Sequence, residues 1–85
     1  VEPLHLDEAM AYVQALRAHP NAVPLRPGER HWSLFARLVA EGQCRGNLVA
    51  DACHAALVIE RGGTWITSDR DVARFPGLRW RHPRP

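Results

Sequence analysis

Leu6, Met10, Val13 and Leu16 recur at helical spacing, the pattern of an amphipathic helix with one apolar side. Asp7 and Glu8 suit its N-terminus, and His19-Pro20-Asn21 ends it. Ala22-Val23-Pro24-Leu25 then reads as a short extended segment, with Pro24 placing it at a sheet edge or a strand end. After the Pro27-Gly28 turn, Trp32, Phe35, Leu38 and Val39 predict a second amphipathic helix from about Glu29 to Glu41. Gly42 to Gly46 is a loop.

The next helix, about Asn47 to Arg61, differs in kind. Leu48, Val49, Ala50, Ala52, Cys53, Ala55, Ala56, Leu57, Val58 and Ile59 leave almost no polar side, so it is expected to be buried nearly all round. Asn47 is suited to cap it and Gly62-Gly63 to stop it. Thr64-Trp65-Ile66-Thr67 reads as a short buried strand and Ser68-Asp69 opens a helical turn through Phe75. Beyond Pro76-Gly77, Leu78-Arg79-Trp80 is the last candidate strand. The order α-β-α-α-β-α-β points to a layered α/β fold with a mostly parallel sheet.

With 85 residues, the chain has room for a single domain, and one that hides only about 60% of its unfolded surface. It should need a partner or a staple to be robust. An apolar share of 46% against 24% charged excludes a disordered chain, and no apolar run approaches the roughly 20 residues of a membrane span. No secretory signal pattern opens the chain. Two cysteines are too few for a disulfide scaffold, which points to a reducing, cytoplasmic setting. The first residue is Val, so the chain is expected to be processed or a piece of something longer.

The net charge of +2 is unevenly spread. Residues 1–60 carry five Arg against seven acids, whereas residues 61–85 carry six Arg against only Asp69 and Asp71. A basic tail interrupted by Phe75 and Trp80 suits a surface that meets phosphates. It also suits a merely solvated tail.

Asp51 stands near the start of the most apolar helix. A buried carboxylate needs a cation, a donor or a metal, unless Asp51 lies on a wet stripe or bonds a loop amide. Asp69 follows the Trp65 strand, at the carboxyl edge where open parallel sheets bind ligands. The helix feeding that strand runs back along it, so Asp51 and Asp69 can share one cleft, with Asp71 a turn away. Converging carboxylates repel unless a cation neutralises them, and hard divalent ions take a couple of carboxylates and water. Phosphodiester hydrolysis is the chemistry this suits. The structural alternatives are a helix cap for Asp69 and a solvated acid for Asp71. Cys44, Cys53 and His54 lack zinc spacing, Cys53 reads as a small core residue, and no phosphate loop or nucleophile elbow is present.

The run Gly46-Asn47-Leu48-Val49-Ala50-Asp51-Ala52, the Ala-rich helix, Gly62-Gly63-Thr64-Trp65-Ile66-Thr67-Ser68-Asp69-Arg70-Asp71 and Ala73-Arg74-Phe75-Pro76-Gly77-Leu78-Arg79-Trp80 together resemble the C-terminal portion of PIN-domain ribonucleases. The likeness is to VapC-type toxins of bacterial toxin–antitoxin pairs, and the opening Pro3-Leu4 with the first helix extends it. The resemblance implies a PIN-like layered fold and Mg²⁺- or Mn²⁺-dependent cleavage of single-stranded or structured RNA. It implies Asp51 and Asp69 as catalytic acids, these with Asp71 as metal ligands, and Asn47 as a polar neighbour. Arg70, Arg74, Arg79 and Arg81 become the expected RNA contacts. A VapB-type antitoxin and a second copy of the chain are the implied partners. The family domain opens with an Asp-bearing strand and helices, one carrying a Glu, and this chain shows neither. Residues 1–85 are thus expected to be a single partial domain, about the last two-thirds, and inactive alone. The alternative is a catalytically inactive remnant that only binds or self-associates.

Overall fold

The computed structural model describes residues 5–84, so the Pro3-Leu4 opening lies outside the described residues. The element order is α1 (Leu6–Ala18), α2 (His31–Glu41), α3 (Asn47–Glu60), β1 (Trp65–Ile66), a 3₁₀ helix (Arg70–Arg74) and β2 (Trp80–Arg81). The α/β arrangement expected from the sequence holds. The two strands pair in parallel, Trp65 opposite Trp80 and Ile66 opposite Arg81, with Trp65 N–H donating to the Arg79 carbonyl at 2.9 Å and Thr67 N–H to Arg81 at 3.0 Å. A parallel pair needs a crossover of about a dozen residues, and that crossover carries the 3₁₀ helix.

The core is one cluster of Leu38, Cys44, Ala52, Ala55, Ala56, Val72 and Phe75. Ala52, Ala55 and Ala56 occupy one face of α3 at i, i+3 and i+4. Small side chains there let Leu38 of α2 and Val72 of the 3₁₀ helix approach closely, and both are essentially inaccessible to water. Leu34, Phe35, Trp65, Leu78 and Trp80 pack around the cluster.

Both core helices end in the same way. Past α3, Gly62 at φ 69° donates to Ile59 and Gly63 to Val58, a Schellman turn that uses glycine's freedom at positive φ. Past α2, Gln43 holds the equivalent position at φ 49°, donating to Ala40 while Cys44 donates to Val39. The buried Cys44 anchors that turn and offsets the strain of a non-glycine residue there.

Five expectations need correction. Ala22–Leu25 forms no strand, because a strand exists only through a paired neighbour and none lies beside it among the described residues. The Asn47 helix is not buried all round: its alanine face is, but Leu57, Val58 and Ile59 are half-buried and Val49 is exposed. Asn47 is its first turn and not its cap, which Gly46 supplies at φ 57°. The β1 strand is half-buried at Trp65 and exposed at Ile66. Cys53 is half-buried, and Cys44 is the core cysteine.

α1 forms as predicted but contributes no buried residue. Leu6, Met10, Val13 and Leu16 all remain exposed. The radius of gyration is 14.7 Å, against about 12 Å for a compact domain of this length. The outstretched helix accounts for that excess.

A clamp holds the segment between α1 and α2 to the end of α3. The Glu60 carboxylate accepts from Gly28 N–H at 2.8 Å and Arg30 N–H at 3.1 Å, while the Arg61 guanidinium donates to the Arg26 carbonyl at 3.0 and 2.7 Å. A Cβ on Gly28 would lie 2.5 Å from a Glu60 oxygen, so the contact needs glycine. The Gly28 bond is the largest cause holding Glu60 below the usual carboxylate value of 4.5; burial opposes it, and Arg30 N–H, Arg61 and His31 add to it. A lowered folded pKa stabilises the protein above the unfolded value and loses that contribution as pH falls through the folded one.

Two outcomes are expected. Leu38→Ala should cost about 2–5 kcal/mol by leaving a cavity under α3, read by urea unfolding at neutral pH. Glu60→Gln should lower the melting temperature at neutral pH, and the gap to the unsubstituted protein should close as pH falls below about 4.5.

Candidate functional site

Asp51 lies in the first turns of α3 and is half-buried. Its neighbour Ala52 is in the same core cluster as Val72, which follows Asp69, Arg70 and Asp71. That shared cluster links the start of α3 to the 3₁₀ helix.

Asp69 caps the 3₁₀ helix: its Oδ1 accepts from Asp71 N–H at 2.9 Å, and its own N–H donates to Thr67 Oγ1 at 3.1 Å. The capping role weighed for it is real. One carboxylate oxygen is held by the backbone and the other stays available to water. Asp69 and Asp71 are both exposed. Asn47 is exposed at the first position of α3.

Asp51, Asp69 and Asp71 are not withdrawn from water. No polar or charged side chain is buried among the described residues, so water already solvates Asp51, Asp69 and Asp71. Nor do three or more His, Cys, Asp or Glu side chains gather closely enough to hold a metal ion among the described residues. The donor chemistry suits a hard divalent ion, which accepts one or two carboxylates with water completing its shell. The described residues do not close a cage around one.

The basic side chains divide into two pairs. Arg79 donates to the Gly62 carbonyl at 2.7 Å and Arg74 reaches the Gly42 carbonyl at 3.5 Å. Each thus neutralises the carbonyl end of a helix, where cations are favoured. Arg70 and Arg81 are exposed, and no carbonyl among the described residues claims them.

Sequence reasoning missed a second group of residues at the start of α2. His31 Nε2 lies 3.1 Å from the Cys53 carbonyl and 3.9 Å from Cys53 Sγ, and the imidazole is parallel to Phe35 at 6.3 Å. His54, on α3, meets Trp65 edge-on at 6.2 Å. His31 and Phe35 are four residues apart on α2, whereas His31–Cys53 and His54–Trp65 join separate elements, which no local pattern signalled. A shallow hollow of about 280 Å³ lies between the end of α1 and Ala22–Pro24, lined by Leu16, Arg17 and Val23 and by none of the candidate acids.

Residues 3–78 match the PIN domain family. Ribonuclease VapC43 of Mycobacterium tuberculosis is 49% identical over 82 residues, covering 96% of this chain and 56% of the relative. A VapC ribonuclease of Mycobacterium bovis shows the same figures, and Ribonuclease VapC31 of Mycobacterium tuberculosis is 40% identical over 78 residues, covering 92% and 54%. The chain thus spans about half the length of the curated relatives it matches. With its family match running through both acid-bearing segments, the chain belongs to the PIN-domain family and is similar along nearly its whole length to VapC-type members.

Proposed function

We propose that the protein serves a metal-dependent endoribonuclease of the VapC type, a toxin held in check by a VapB-type antitoxin in the cytoplasm. The observation that carries this reading is the placement of Asp51 and Asp69 on segments joined by one buried cluster, Ala52 with Val72, in a PIN-family chain. Asp51 and Asp69 are the proposed catalytic acids. With Asp71 they form the acidic edge at which Mg²⁺ or Mn²⁺ would be held. A bound ion of this kind polarises a phosphoryl oxygen and lowers the pKa of water. The chain's own part is to orient: the Asp69 cap fixes the turn that carries Asp71, and Ala52 fixes the level of Asp51.

Residues 1–85 are proposed to form a single partial domain. Because no three ligands gather among the described residues, the chain alone is proposed to hold the ion incompletely and to cleave RNA poorly or not at all. That same observation favours the second reading, a catalytically inactive remnant that only binds. The exposed apolar side of α1 supports a helical partner in either case, an antitoxin helix or a second copy of the chain. No helix among the described residues is long and apolar enough to cross a membrane.

Cleavage of single-stranded RNA should appear when the chain is joined to a segment that supplies the missing acids, and should require Mg²⁺ or Mn²⁺. Asp51→Asn should abolish it with an unchanged melting temperature. Asp69→Asn should do the same, since an amide oxygen still caps the turn, whereas Asp69→Ala should also cost about 1 kcal/mol of stability. Full cleavage by Asp51→Asn would remove that residue from the site, and no cleavage by any joined form would leave the binding remnant as the answer.

The arginines give an independent check. Neutralising Arg70 and Arg81 should flatten the dependence of RNA affinity on salt by about one logarithmic unit each. Neutralising Arg74 and Arg79 should act chiefly on thermal stability, because their guanidiniums hold helix ends. An equal salt effect from both pairs would return all four to the RNA surface.

A further inference from the structure

Trp32 is 72% exposed on the first turn of α2. Its indole leans on Phe35, with ring centroids 5.8 Å apart and planes at 59°. Phe35 is in turn parallel to His31, at 6.3 Å and 13°, and His31 is held at the Cys53 carbonyl of α3. The outer ring faces water while the inner rings are braced against the helix pair. Both Phe35 and His31 are half-buried.

The same end of the molecule is cationic. Arg26, Arg30 and Arg61 are all exposed there, and Arg61 is tied to the Arg26 carbonyl so that its head cannot fold away. Of the two acids nearby, Glu60 is occupied by the Gly28 and Arg30 N–H groups, which leaves Glu29 as the exposed one. An exposed indole braced by other rings and bordered by arginines is suited to unpaired nucleobases, which stack on any aromatic face while cations track the phosphates. The excess of cations favours a polyanion over a neutral apolar partner.

We infer that Trp32, braced by Phe35 and His31 and bordered by Arg26, Arg30 and Arg61, is a base-stacking subsite for single-stranded RNA built from residues other than the candidate acids. The inference rests on the RNA-directed reading above. On α3 the Glu60 end is nine residues beyond Asp51, about 14 Å of helix, while His31 meets α3 at Cys53, two residues from Asp51. A strand seated on Trp32 therefore has the Asp51 turn of α3 within reach. The subsite would hold substrate RNA in place without reading its sequence.

The test is a binding titration without divalent metal, using a labelled eight-nucleotide single-stranded RNA and an abasic strand of the same length. Trp32→Ala should weaken RNA binding about tenfold and leave the abasic strand unaffected, Trp32→Phe should restore most of the affinity, and Arg30→Gln should reduce the salt slope of both strands by about one. Trp32 is exposed, so these variants should melt like the parent. Equal RNA affinity in Trp32→Ala, or an equal loss for the abasic strand, would overturn the subsite while the ribonuclease reading stood. An acidic peptide that binds through Trp32 as tightly as the RNA would also overturn it, in favour of a protein partner. Failure of the unsubstituted protein to bind RNA at all would bring down both readings.

Discussion

The closeness of α2 to α3 depends on the absence of side-chain bulk at three positions. Ala52, Ala55 and Ala56 give α3 a flat face, and Leu38 and Val72 fill the space against it from two directions. Interiors pack at near-crystalline density, so a larger residue on that face would push α2 or the 3₁₀ helix away. The 3₁₀ helix is only five residues long and could not hold its place by its own hydrogen bonds. Val72 and Phe75 hold it, and with it the Asp69 turn and the crossover that allows β1 and β2 to pair.

The polar contacts are arranged around that packing. Arg74 and Arg79 sit at the carbonyl ends of α2 and α3, and Glu60 and Arg61 secure the chain entering α2. Each joins a helix terminus, where backbone groups lack partners within the helix, to a segment that has no regular structure of its own. The acids are left at a hydrated edge. Among the described residues that edge does not gather three ligands.

α1 and the Ala22–Leu25 segment stand outside this unit. The helix has the right periodicity and still buries nothing, and the extended segment has backbone groups with no ladder to join. In a chain that spans 56% of the length of VapC43, this leaves the apolar side of α1 exposed.

The local readings depended on the sequence alone. The 3.6-residue period set the three helices to within a residue or two, Gly62-Gly63 stopped α3 as its positive φ requires, and the run from Asn47 to Trp80 carried the family likeness. Those features are local, because periodicity, turn chemistry and motif spacing act over a few residues. Burial and partnership were decided only by tertiary structure. An all-apolar helix such as α3 is buried only where something packs on it, which here is the alanine face. A β-prone run such as Ala22–Leu25 becomes a strand only beside another strand. Asp51 looked desolvated by its apolar neighbours in sequence, yet along a helix those neighbours point in different directions and the carboxylate reaches water. The division of the arginines between helix ends and open surface, and the bond from His31 to the Cys53 carbonyl, join residues far apart in the chain. Contacts of that kind are set by how the helices pack, which no spacing along the sequence records.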